Sequence, residues 1–147
     1  MTPLKNWHVG VVGAVCVCGM SGCVPVDGRV GTGAIAHVAG TWGTTGQLAC
    51  DQAPQTISLI DRGERLLFRT PRPLRMLDGT MSDSVYYKVL KAEGERIWMF
   101  VEGEYRLTDA GDPVVWVLVM VDPNTFKWRR TDWSKESFTR PVKRCNQ

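Results

Sequence analysis

Histidine is almost missing from this chain: among 147 residues there are two, His8 and His37, both ahead of the region that reads as folded. Without an imidazole beyond residue 37, a Ser-His-Asp or Cys-His nucleophilic site cannot be assembled there. Cysteine is sparse and widely spread, at 16, 18, 23, 50 and 145, which leaves little from which to write a zinc site. There is no Walker-type or dinucleotide glycine motif, no internal repeat and no low-complexity tract. No long hydrophobic run exists either; the longest, near residues 9–20, has about twelve residues where a spanning helix needs about 20. Charge of one sign is not in excess, with 18 Lys and Arg against 15 Asp and Glu, so overall charge selects no partner. What is present is 44% hydrophobic and 22% charged residues, the balance of one folded domain. Fifteen glycines and eight prolines without a collagen period exclude a long helical rod.

Residues 1–22 have the layout of a signal peptide: one cation at Lys5, an apolar run, then small residues. At the end of that run, Met20-Ser21-Gly22-Cys23 resembles the lipobox of bacterial lipoproteins, in which two small residues precede a cysteine that is acylated and becomes the mature N-terminus. The resemblance implies lipidation at Cys23 and a membrane-anchored chain. With Val24 following the cysteine, it implies an outer-membrane lipoprotein facing the periplasm. The alternative is ordinary cleavage nearby or around 34–39, giving a soluble periplasmic or secreted protein. Acyl chains contribute about 0.8 kcal/mol per buried methylene, so two or three of them hold a domain on a bilayer.

Export also sets the redox surroundings. Cys16 and Cys18 leave with the signal, Cys23 is spoken for by the lipobox reading, and Cys50 and Cys145 remain for an oxidising compartment. A disulfide bond between them is the expectation, with two buried free thiols as the alternative. Residues 23–40, rich in glycine and poor in charge, read as a flexible tether; part of 34–38 would alternatively form a short helix plugging one end of the domain.

From residue 41 onward, short β-rich stretches alternate with turn signals, which predicts an all-β domain over 41–147. Strands are expected at 41–49, 55–60, 65–70, 84–91, 96–102, 114–121, 125–131 and 138–143. Apolar positions recur with period two at Ile57 and Leu59, Leu66 and Phe68, Val85, Tyr87 and Val89, Ile97, Met99 and Val101, and Phe126 and Trp128. Residues 114–121 are apolar on both faces, as in a strand covered by protein on both sides. Tight connections dictate an antiparallel meander of about eight strands, closed as a small barrel or flattened as a sandwich.

Gly40-Thr41-Trp42 is similar to the Gly-x-Trp opening of lipocalins and other calycins, small up-and-down barrels. The resemblance implies that Trp42 closes the barrel base beneath an arginine of the last barrel strand, a place that Arg129 or Arg130 would fill. In size, and in a cysteine pair near the chain ends, the sequence also resembles the small bacterial envelope inhibitors of lysozyme. It lacks their serine- and glycine-rich inhibitory loop, for which Met81-Ser82-Asp83-Ser84 is a poor substitute.

Paired acids are the remaining catalytic grammar: Glu102 with Glu104, Asp109 with Asp112, and Asp132 with Glu136. All fall at expected strand ends and turns, where acids are solvated, so no enzyme, no catalytic residue, no metal and no cofactor is expected. Charge is uneven along the chain. Residues 125–147 carry seven cations against two anions, residues 61–75 five against two, and residues 78–122 four against nine. If the two basic regions share a face, it would attract anionic lipid, lipopolysaccharide or an acidic protein; otherwise these charges are the solvated sides of strands. The connection 71–83, rich in arginine and flexible apolar groups, reads as a contact surface, with capping of an open end of the barrel by its apolar residues as the alternative. Arg72, Arg75 and Met76, together with Arg140, Lys143 and Arg144, are the candidate partner-binding residues. Nucleic acid is not expected for an exported chain. The function expected is an envelope binding protein for a protein partner or for a small apolar or anionic ligand, with inhibition of a periplasmic or wall-degrading hydrolase as the alternative.

Overall fold

The structure is a computed structural model that describes residues 33–43 and 47–146; Cys23 and the lipobox lie outside the described residues. Eight strands pair antiparallel in sequence order, and the last returns to the first: a closed barrel. They are β1 (Gly40–Gly43), β2 (Gln55–Ile60), β3 (Arg65–Arg75), β4 (Met81–Glu93), β5 (Arg96–Val101), β6 (Trp116–Asp122), β7 (Thr125–Arg130) and β8 (Val142–Arg144). A four-residue helix, α1 (Ala34–His37), precedes β1, and α2 (Gln47–Gln52) follows it.

The predicted alternation fills the barrel except at Leu59, which is exposed near the end of β2. Ile57, Leu66, Phe68, Val85, Ile97, Met99, Leu118, Met120, Phe126 and Val142 turn inward and are buried, with Tyr87, Val101, Trp116 and Trp128 packed against them. The aromatic rings form one connected network. Trp42 meets Phe126 edge-on at 4.7 Å, Phe126 meets Trp128 at 5.7 Å, and Phe68 lies 5.2 Å from both Tyr87 and Trp128. Edge-to-face rings at these spacings add to simple area burial. The doubly apolar stretch is covered on its inner face and only partly on its outer one: Leu118 and Met120 are buried inside, while outside Val117 is buried, Val119 half-buried and Val121 exposed.

Differences from the sequence expectation have local causes. The first strand stops at Gly43, because β2 begins only at Gln55 and pairs no farther than Trp42; the next residues described are helical. That helix carries Cys50 to Cys145, and the disulfide is formed with a sequence separation of 95. Closing a loop of that length stabilises a fold by about 4 to 5 kcal/mol in the chain-entropy model. β3 and β4 run well past the expected 65–70 and 84–91, so most of the 71–83 connection is hairpin. Pro71 and Pro73 are tolerated because β2 pairs no farther along β3 than Arg69, and their missing N–H groups face no neighbour. The tether expected over 23–40 does not extend through 33–40, and 23–32 lie outside the described residues. From Gly33 the chain belongs to the folded body: Ala34 and Val38 are fully buried and Ala34 N donates to Gly94 O at 2.8 Å. The short plug helix, the other reading of 34–38, is what forms.

Antiparallel order gives the barrel two ends. Helix α1, the β4–β5 turn at Gly94 and the β6–β7 turn at Pro123 and Asn124 lie at one, the plugged end. At the other lie the β3–β4 tip, residues 102–115 and residues 131–141, which together form a rim.

Trp42 does close the base, but beneath a different arginine from the two expected. Cross-strand pairing sets Trp42 opposite Arg144 of β8, and the Arg144 guanidinium lies 4.1 Å from the centre of the Trp42 ring. Arg129 and Arg130 are excluded by register: β8 pairs β7 only at Thr125 and Phe126, so both arginines sit toward the opposite end of β7. Arg129 donates to Lys135 O at 3.2 Å, and Arg130 packs between Trp116 and Trp133. Arg144 also donates to Ala39 O at 3.0 Å, to His37 O and to Pro123 O at 3.2 Å, while Trp42 Nε1 donates to Val38 O at 2.9 Å. Gly40 has φ 142°, and a side chain there would overlap the Arg144 guanidinium.

Arg144→Met should therefore lower stability by about 2 to 4 kcal/mol, the sum expected for one cation–π contact and charged hydrogen bonds to carbonyls. Arg144→Lys should recover only part of this, because a point charge cannot span three carbonyls as a planar fork does. Urea midpoints at constant m-value measure both.

Candidate binding rim

The β3–β4 hairpin projects from the barrel at the rim. Its tip is a tight turn: Met76 N donates to Thr80 O at 2.8 Å and Gly79 N to Met76 O at 3.0 Å, with Gly79 at φ 85°. Asp78 accepts from Thr80 N at 2.9 Å and Thr80 Oγ1 at 2.7 Å, and these bonds hold its carboxyl below the ordinary value. Below the tip, Met76 packs against the core cluster, whereas Leu74, Leu77 and Met81 are exposed.

Residues 102–107 stand beside this hairpin. Glu102 N donates to Tyr86 O at 2.9 Å, the chain then reverses, and Glu104 N donates to Val101 O at 3.0 Å. Glu102 and Glu104 point to different partners, so this acid pair does not converge. Glu102 holds Arg65 through two bonds of 2.7 and 2.8 Å, with the Arg65 guanidinium 4.9 Å above the Tyr86 ring. The Glu104 side chain is 2% exposed and is clasped by Arg106, whose Nε donates at 2.7 Å and backbone N at 3.0 Å. The Arg106 hydrogen bond is the chief reason its carboxyl is held below the ordinary value of 4.5, against the opposing effect of burial. Tyr87 lies on the inner face nearby; burial, then the Glu104 charge, push its phenol well above the ordinary value. Trp116 Nε1 is buried there, and its N–H toward the carboxylate adds a small further lowering to Glu104.

Between hairpin and loop runs a groove of about 350 Å³, walled by Met76, Leu77, Tyr86, Val101 and Tyr105. Tyr105 Oη donates to Leu77 O at 3.3 Å across it. A more open cavity of about 480 Å³ is lined by Asp109, Asp112 and Asp132. Asp132 there is held by Arg130, whose hydrogen bond depresses its carboxyl. Among the described residues, no group of three or more His, Cys, Asp or Glu is placed to hold a metal ion.

The sequence-predicted partner residues separate. Arg72 and Arg75 are exposed on the β3 extension, and Met76 turns inward from it. Arg140 is exposed in the 131–141 segment, on the far wall of the barrel. Lys143 donates to Thr125 Oγ1 at 2.7 Å and Arg144 closes the base, so neither is offered to a partner at the rim. A single basic face does not form: β3 and β8 are separated by two strands on the shorter way round. Sequence reading missed Tyr105 and Leu107, both exposed, although the alternation Glu104-Tyr105-Arg106-Leu107 continues the period of β5 beyond its end.

No protein-family model matches this chain, and no curated protein or solved structure matches it. The fold itself is that of a small, closed up-and-down barrel, in keeping with the lipocalin-like architecture expected.

Glu104→Gln tests the clasp. A carboxyl depressed in the folded state adds stability that is complete above its unfolded value and is lost as pH falls through the folded one. The wild type should exceed the variant by about 1 to 3 kcal/mol at pH 7, and the gap should shrink below pH 4.5. Parallel urea titrations at pH 7, 4 and 3 measure it.

Proposed function

We propose that this chain is an exported, non-enzymatic binding protein that recognises another protein through the rim. One observation carries the reading: six of the ten exposed large apolar side chains among the described residues, Leu74, Leu77, Met81, Tyr86, Tyr105 and Leu107, belong to the hairpin and its neighbouring loop. Exposed apolar groups gathered in this way mark contact surfaces. The barrel axis is occupied by Trp42, Phe126, Trp128, Phe68 and Tyr87, which favours a protein docked outside over a small ligand held within. Among the described residues, every carboxyl whose ionisation clearly departs from the ordinary value is pushed down, whereas a glycosidase-type acid needs one pushed up. The disulfide fits residence in an oxidising compartment, and Cys23 is the proposed lipid anchor to an outer membrane. The projecting hairpin also supports the second reading, a hydrolase inhibitor that inserts this element into a cleft.

A photo-crosslinking side chain at Leu77 or Leu107 should yield a defined protein adduct in intact cells, while one at Val121, on the wall toward the plugged end, should not. Equal adducts at all three sites, or none at any, overturn the reading. Under the inhibitor alternative, the purified domain slows a wall-degrading hydrolase such as lysozyme and Leu77→Asp abolishes the effect. Fatty-acid labelling of the wild type and not of Cys23→Ala checks the anchor.

A further inference from the structure

We propose that the outer wall of β4 to β7 is a second contact surface, and that it lies against a bilayer containing anionic phospholipid. The wall runs between the rim and the plugged end, and its use does not depend on the reading of the rim.

Inward residues fix what faces out. Ile97 and Met99 of β5, Leu118 and Met120 of β6, and Phe126 and Trp128 of β7 belong to the core cluster or pack on it, so the residues alternating with them turn to the outer face. Cross-strand pairing sets these in two rows. One holds Lys91, Trp98, Val117 and Arg129; the other holds Glu93, Arg96, Val119 and Lys127. Lys88, opposite Phe100, stands on the rim side of the first row. Five cations thus frame an apolar strip, and the one carboxylate in the rows, Glu93, is held by Lys91 at 2.6 Å. Among the described residues, Lys88, Arg96, Lys127 and Arg129 form no ion pair. The fold has sorted charges that the sequence interleaves. Of the nine anions in 78–122, six stand at the rim and three, Glu93, Glu95 and Asp122, at turns of the plugged end; of the four cations, Lys88, Lys91 and Arg96 lie on this wall.

The strip is more than a patch of charge. Trp98 and Phe100 are half-buried, and the Lys91 ammonium lies 4.5 Å from the centre of the Trp98 ring. Phe138 packs 5.7 Å from both Lys127 and Arg129 and is itself exposed, as are Val121 and Leu90, the extra residue at the register shift in β4. Aromatic rings at headgroup level, with long cationic side chains reaching the phosphates, are how proteins lie on a bilayer. A dissolved polyanion would use the charges and leave these apolar groups in water. Ala34 N donates to Gly94 O at 2.8 Å, so the chain ahead of Gly33 joins the body at the edge of this wall. From Cys23 to Gly33 it can span no more than about 35 Å. An acyl anchor at Cys23, proposed above, would keep a bilayer within that reach and raise its effective concentration at the wall.

The whole processed protein is mixed with vesicles of phosphatidylcholine alone, and with vesicles in which about a third of the lipid is anionic phosphatidylglycerol. A soluble acylating reagent then reports, by mass spectrometry, how fast each lysine reacts. Lys91 and Lys127 should react several-fold more slowly on the anionic vesicles than on the neutral ones, and high salt should remove the difference. Lys88→Gln with Arg96→Gln removes exposed cations and should raise the anionic lipid needed for half-protection roughly tenfold or more. Arg72→Gln with Arg75→Gln removes the same charge from the hairpin and should leave it unchanged. Equal protection on both vesicle types, or equal loss in the two double variants, overturns the wall as a lipid surface. Protection by dissolved dextran sulfate with none by vesicles assigns it to a soluble polyanion and overturns it as well. Adducts from Leu77 and fatty-acid labelling at Cys23 are read elsewhere on the chain, so the rim and the anchor stand or fall apart from this result.

Discussion

A barrel is closed only where its first strand meets its last, and here that meeting is two residue pairs long, Trp42 with Arg144 and Gly43 with Lys143. The stacked indole and guanidinium at this seam hold more than each other. Through three carbonyls, Arg144 gathers the end of α1, the start of β1 and the β6–β7 turn, while Trp42 reaches Val38 on one side and Phe126 on the other. The disulfide reinforces the same seam from outside, tying α2 to the residue after β8. Burial draws the Arg144 ionisation downward, and among the described residues its charge rests on backbone carbonyls and the face of the Trp42 ring.

Much of this was legible in the sequence because period-two alternation and turn residues act locally. Eight strands and their antiparallel order follow from such signals, whereas the place of Trp42 came from the resemblance of Gly40-Thr41-Trp42 to the calycin opening and the pairing of Cys50 with Cys145 from the cysteines left after export. What escaped depends on register. Which arginine covers Trp42 is decided by where β8 ends, and three residues of strand leave a faint trace in a chain. Pro71 and Pro73 read as breakers, yet they lie where β3 has outrun its neighbour and loses nothing by their missing donors.

The rim was half legible. Composition left two readings of 71–83, exposed contact surface or barrel cap, and the hairpin divides between them: Leu74, Leu77 and Met81 are exposed while Met76 packs on the core. Charge counting by segment overstated the basic regions, since Arg65, Arg130, Lys143 and Arg144 are each engaged within the fold. The acidic stretch 78–122 keeps more of its character, because Asp78, Asp109 and Asp112 line grooves at the rim.

Gly33 enters the body beside Gly94, and β4 runs from there to the hairpin for 13 residues, a contour of about 40 Å. Residues 1–32 are thus joined at the pole farthest from the groove. The plugged pole, where Gly33 meets Gly94, and the exposed hairpin tip are thus held at opposite ends of one continuous strand, so the length of β4 alone sets the distance between them.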